Sequence, residues 1–141
     1  MTKTASQETL LVVDDDPGIL RTLKWSFADY VLVTATCRAE ALEALGLHEP
    51  KVVTLDLGLP PAVDDAREGL ELLDEILARA PTTKVVVVSG NDDRAHAVAA
   101  IGRGAWDFYS KPIDVEVLDV IVRRAFHVHA LETENRRLRR G

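Results

Sequence analysis

Four consecutive valines, Val85–Val88, make a run too short for a helix and without the polar alternation of a strand with one wet face. Such a run fits a strand covered on both sides, and strands of that kind belong to parallel sheets flanked by helices. Four more short runs resemble it: Leu10–Val13, Val31–Ala35, Val52–Leu55 and Trp106–Tyr109. Between them, apolar residues recur at helical spacing. The spacing predicts helices over about Pro17–Ala28 (stripe Ile19, Leu20, Leu23, Phe27), Arg38–Leu47 (Ala41, Leu42, Leu45) and Gly69–Ala80 (Leu72, Leu73, Ile76, Leu77). An Ala-rich helix over Asp92–Ile101 has Gly102 and Gly104 available to end it. A fifth helix starts near Asp114 with Val117, Leu118, Ile121, Val122 and Ala125 on one stripe. Strict alternation of strand and helix predicts an α/β fold: a doubly wound, five-stranded parallel sheet with right-handed crossovers. Only Pro60–Arg67 reads as a long loop.

The first strand ends in three carboxylates, Asp14-Asp15-Asp16, and the third in Asp56. In an open α/β sheet ligands bind at the C-terminal tips of the strands. Adjacent placement of those two strands would gather Asp14, Asp15 and Asp56 at one rim. Carboxylates about 4 Å apart repel by roughly 4 kcal/mol at an effective dielectric near 20, so the cluster calls for a cation. An all-oxygen site with few protein ligands suits Mg2+. Asp16 reads differently: with Pro17 behind it, it is placed to cap the next helix. The fourth strand ends in Ser89 and the fifth runs through Ser110 into Lys111-Pro112. Each alone reads as a turn residue. Together, a carboxylate nucleophile, a hydroxyl and a lysine around a metal suit phosphoryl transfer, where positioning and charge neutralisation supply most of the catalysis.

The bulk properties narrow the field. A chain of 141 residues is one domain with a core of useful size. A net charge of −6 disfavours nucleic-acid binding by this segment, because phosphate contacts need clustered Lys and Arg. The one basic cluster, Arg136-Arg137-Leu138-Arg139-Arg140, reads as a solvated helix end. Cys37 is the sole cysteine, which excludes an internal disulfide or a Cys-based zinc site. With neither signal peptide nor membrane-length apolar run, the expected location is the cytoplasm.

On these motifs the chain resembles the receiver domains of two-component response regulators. They are Val12-Val13-Asp14-Asp15-Asp16-Pro17, Leu55-Asp56-Leu57, Val88-Ser89-Gly90 and Gly104-Ala105-Trp106-Asp107-Phe108-Tyr109-Ser110-Lys111-Pro112. The resemblance implies the flavodoxin-like strand order 2-1-3-4-5. It also implies that Asp56 accepts a phosphoryl group from a sensor histidine kinase. Mg2+ would be held by Asp15, Asp56 and the backbone carbonyl of Gly58, with Asp14 acting mainly through water. Ser89 and Lys111 would contact the phosphoryl oxygens, and Ser89 and Phe108 would serve as switch residues. Phe108 stands where tyrosine is common in the family, so it has no hydroxyl to donate. Within the family the chain is similar to receivers of σ54-dependent activators, in particular PEP-CTERM-box response regulators.

The expected organisation is a flexible N-terminus over 1–8, a receiver over 9–127 and a helical extension over 128–141, with a transcriptional output domain elsewhere. Val128, Leu131, Asn135 and Leu138 fall at the spacing of coiled-coil a and d positions, which predicts a homodimer. The alternative is a receiver-fold interaction module that works without phosphorylation. Two enzyme classes fit poorly. An aspartate-nucleophile phosphohydrolase needs an acid where Gly58 stands, and a flavin mononucleotide site would be repelled by Asp14-Asp15-Asp16.

Overall fold

The computed structural model describes residues 8–60, 66–90 and 94–140. Five strands alternate with five helices: β1 Thr9–Val13, α1 Pro17–Ser26, β2 Val31–Ala35, α2 Arg38–His48, β3 Val52–Asp56, α3 Arg67–Arg79, β4 Lys84–Ser89, α4 Arg94–Gly102, β5 Asp107–Ser110 and α5 Val115–Arg140. All pairings are parallel and the order is β2-β1-β3-β4-β5, as the resemblance implies.

Side chains alternate across the sheet with the period of two that a pleated strand imposes. Leu11, Val13, Val53, Leu55, Val85 and Val87 enter one core with Ala41 and Leu45 of α2, Leu72, Leu73 and Ile76 of α3 and Ala100 of α4. Leu10, Val12, Val52, Val86 and Val88 enter the other, under Leu23 of α1 and Leu118, Val122 and Ala125 of α5. Complete burial of one such Leu or Val contributes roughly 1.5–3 kcal/mol, which is why the uninterrupted apolar strands specify this layering.

Element ends depart from expectation in instructive ways. Helix α1 stops at Ser26, two residues early, where Phe27 leaves helical geometry and buries itself beside Tyr30. Strand β5 sits one residue further along than the apolar pattern suggests: Trp106 already donates its N–H to the Val85 carbonyl of β4, but the paired residues begin at Asp107, opposite Val86. Helix α3 starts two residues before Gly69. Val117 is 46% exposed, contrary to its place on the expected stripe. It lies about 100° around the helix from Leu118, beyond the edge of the buried arc. Helix α4 ends as expected, with Gly104 at φ +110 and Ala105 donating back to the Ala100 carbonyl. The expected start of that helix at Asp92, residues 61–65 of the long loop and residues 1–7 of the N-terminus lie outside the described residues.

The extended α5 is moored at two places. Tyr30 stacks on Phe126, donates to Asp119 at 3.2 Å and lies under the Arg123 guanidinium. Further along, Lys84 at the start of β4 pairs with Glu132 at 2.6 Å. No described helix is long and apolar enough to cross a membrane.

Candidate functional site

The register builds the site. Val13 pairs with Leu55, so Asp14 and Asp56 follow at the same level on adjacent strands, at the tips where the ladder stops. Asp14 donates its N–H to the Ala35 carbonyl and turns the chain toward α1. Its carboxylate accepts the Asp16 N–H at 2.9 Å, and Asp16 in turn caps α1 by accepting the Gly18 N–H at 2.8 Å. Oxygens of Asp14, Asp15 and Asp56 lie within 4.8 Å of one another, with Asp15 the most open of the three to solvent. Asp14 and Asp56 are buried, at 3% and 7% exposure.

Lys111 reaches over this cluster from the turn after β5. Its Nζ lies 3.2 Å from Asp14 Oδ2 and 3.4 Å from Asp56 Oδ2. The backbone N–H of Lys111 donates to the Ser89 carbonyl, and the Lys111–Pro112 bond is cis. Asp56 Oδ1 accepts the Gly58 N–H at 3.1 Å. Ser89, 5% exposed, ends β4 one residue beyond Val88, the partner of Asp56.

The electrostatics follow from this packing. Burial raises the Asp56 carboxyl, and the adjacent Asp14 raises it further. The Gly58 N–H and the Lys111 ammonium offset only part, leaving it at about 6 against an ordinary 3.8. Burial pulls the Lys111 ammonium down, but Asp56 and Asp14 outweigh that and hold it above its ordinary value. Three carboxylates against one ammonium leave an excess of negative charge in a pocket lined by oxygen donors. The donor set therefore fits a small hard divalent cation.

Sequence-predicted Asp14, Asp15, Asp56 and Lys111 thus meet at one point, with Ser89 and Gly58 on the adjoining backbone. Phe108 stands apart: its ring packs with the α2–α4 core, while the neighbouring Tyr109 carries its hydroxyl on the opposite face and accepts the Asp114 N–H at 2.8 Å. A cleft of about 410 Å3 opens beside the site between α1 and the β5–α5 turn, lined by Ile19, Thr22, Leu23, Lys111, Pro112 and Ile113 among others. Two features escape sequence reading. Arg38 braces α2 to α3 through Glu71 at 2.9 Å and Glu75 at 2.6 Å, and Gly69 packs directly on the backbone of Leu57. A glycine where a better helix former would propagate the turn is the one available signal for the second.

Comparison with known proteins agrees with this geometry. The family model of the response regulator receiver domain matches residues 10–123, and the chain belongs to that family. It is 38% identical over 132 residues to the nitrogen assimilation regulatory protein NtrX of Azorhizobium caulinodans, which covers 92% of this chain and 28% of that protein. It is 37% identical over 109 residues to the transcriptional regulatory protein KdpE of Mycobacterium tuberculosis, covering 76% of this chain and 46% of that one. This chain therefore spans less than half the length of either relative. Among solved structures it is similar to NtrX from Brucella abortus (TM-score 0.84, 35% identity, 94% of this chain and 29% of that chain). It is also similar to a CheY-like receiver domain protein from Methanospirillum hungatei JF-1 (TM-score 0.82, 26% identity, 90% and 99%).

Proposed function

We propose that this receiver is switched by phosphorylation of Asp56, the phosphoryl group coming from a phosphohistidine of a sensor kinase. The observation that carries the reading is the Asp56 carboxylate itself, buried at the rim between Asp14 and Lys111 and within reach of Asp15. Above its value of about 6 the group is ionised, which is the nucleophilic form. Its oxygen forms the new O–P bond as the donor's P–N bond breaks and the imidazole leaves with the electron pair. Lys111, already 3.4 Å from Asp56, neutralises charge on the phosphoryl oxygens, and the Ser89 hydroxyl donates to one of them. Asp15, Asp56 and the Gly58 carbonyl would hold Mg2+, with Asp14 ordering water. When bound, the ion would supply charge neutralisation for the transferring group. The cleft between α1 and the β5–α5 turn gives a kinase helix apolar surface beside the acceptor.

In this reading residues 9–127 are the receiver, and 128–141 connect it to a transcriptional output of the σ54-dependent kind, such as that of the PEP-CTERM-box regulators. A cytoplasmic location and a homodimer formed by the extension of α5 go with it. The test is incubation with acetyl phosphate and Mg2+. The protein should gain one acid-stable, base-labile phosphate, and Asp56→Asn should gain none. Undiminished labelling of that variant would falsify the assignment, and absence of labelling in the parent protein would favour an interaction module that works without phosphorylation.

A further inference from the structure

The contact between Gly69 and Leu57 ties helix α3 to the acceptor turn. A Cβ at position 69 would lie 2.3 Å from Leu57 Cα, 2.5 Å from its carbonyl oxygen and 2.7 Å from its carbonyl carbon. These are backbone atoms, so no rotamer change relieves the overlap. Leu57 directly follows Asp56, and Gly58 is the residue whose N–H the Asp56 carboxylate accepts. One of the two elements must therefore move if the glycine is replaced.

Helix α3 is the firmer of the two. Leu72, Leu73 and Ile76 are fully buried, and Arg38 grips Glu71 and Glu75 while also lying 3.7 Å from Glu68, one residue before the glycine. The turn is softer. Strand β3 ends at Asp56, and beyond it the backbone is held by the Gly58 N–H on Asp56 and by the Leu59 N–H on the Leu57 carbonyl at 3.1 Å. We infer that Gly69 is a positioning residue: by letting α3 rest on Leu57, it sets where the Gly58 N–H and carbonyl stand beside Asp56. The part of this concerning Mg2+ rests on the proposed role of Asp56 and Gly58. The placement of the turn does not.

The experiment reads the metal-free 1H–15N spectrum of Gly69→Ala and its affinity for Mg2+ alone. The Gly58 amide should shift and Mg2+ should bind about tenfold more weakly, the size of effect typical for a lost residue that orients a ligand. Two variants separate positioning from stability. Gly46→Ala on α2, where an added Cβ meets nothing within 4 Å, and Leu73→Val, which trims the buried face of the same α3, should both leave the amide and the affinity unchanged. A Gly69→Ala protein with the parent's Gly58 amide and Mg2+ affinity would mean that the first turn of α3 yields instead, and the inference would fail. Should Gly69→Ala not fold, Arg38→Gln takes its place. Releasing the grip on α3 should move the Gly58 amide, and an unmoved amide overturns the inference. A parent protein that binds no Mg2+ would sink the proposed metal role alone, because the amide is read without metal.

Discussion

Replacing Asp56 by asparagine should stabilise the metal-free protein, even though it removes the group on which the proposed function depends. In the folded state the Asp56 carboxyl stands at about 6 against an ordinary 3.8, raised first by burial and then by Asp14. At 1.36 kcal/mol per factor of ten, folding shifts the balance toward the neutral form by about 3 kcal/mol relative to the unfolded chain. Ionising the group above pH 6 costs the fold up to that amount. The attraction of Lys111 is already inside that net shift, and solvent screening reduces the expected gain to about 1–2 kcal/mol. An asparagine can still accept the Gly58 N–H, and its amide can donate toward Asp14. For a chain of this length that is a rise of about 3–7 °C in melting temperature. The sign with pH is fixed by proton binding: between about 4 and 6 the folded state holds the proton more tightly than the unfolded one, so stability contributed here falls as pH rises. Thermal melts of both proteins in chelator at pH 7.5 and near pH 4.5 provide the measurement. The gain should be present at pH 7.5 and much reduced near 4.5. Equal gains at the two pH values, or none at 7.5, would refute the electrostatic reasoning.

Other expectations are more direct. Lys111→Met removes the ammonium that lowers the Asp56 carboxyl, so a carbon-13 NMR titration of that carboxyl should give a value above about 6. A midpoint unmoved or lowered would show that Lys111 does not face it. Leu72→Ala leaves a hole under α3, where the side chain is fully buried, and should cost about 2–5 kcal/mol in urea unfolding. Val128, Leu131, Asn135 and Leu138 should pair two copies of α5, so sedimentation should report a dimer whose population grows with a beryllofluoride phosphate mimic. A monomer in both states, unchanged on deleting residues 132–141, would leave the pairing without support.

Much of this architecture is legible in the sequence because local signals and global packing agree. Runs such as Val85–Val88 report burial on both faces, and carboxylates at the ends of β1 and β3 report the rim directly. Ends were less legible because tertiary contacts decide them. The Phe27 ring packs against Tyr30 where α1 stops, and the start of β5 at Asp107 is set by its register against β4. Contacts between residues distant in sequence leave no periodic trace, so neither the grip of Arg38 on α3 nor the seat of Gly69 on Leu57 can be read from spacing. Phe108 illustrates the same limit: its place beside Tyr109 is plain in the sequence, but which face each takes depends on strand register.

Strand β5 works as a short connecting rod. It has four residues, about 13 Å of chain, and is bonded to a neighbour on one side only. Lys111 directly follows its last residue, so the ammonium at the rim and the strand share one short stretch of backbone. Phe108 bears on one half of the interior, while Trp106 and Tyr109 bear on the other, and Arg124 of α5 rests on the Trp106 ring. An edge strand, laddered on one side where β4 is laddered on both, is among the cheaper elements of the fold to displace. The strand that carries Lys111 to the rim thus has side chains in contact with the cores on both sides of the sheet.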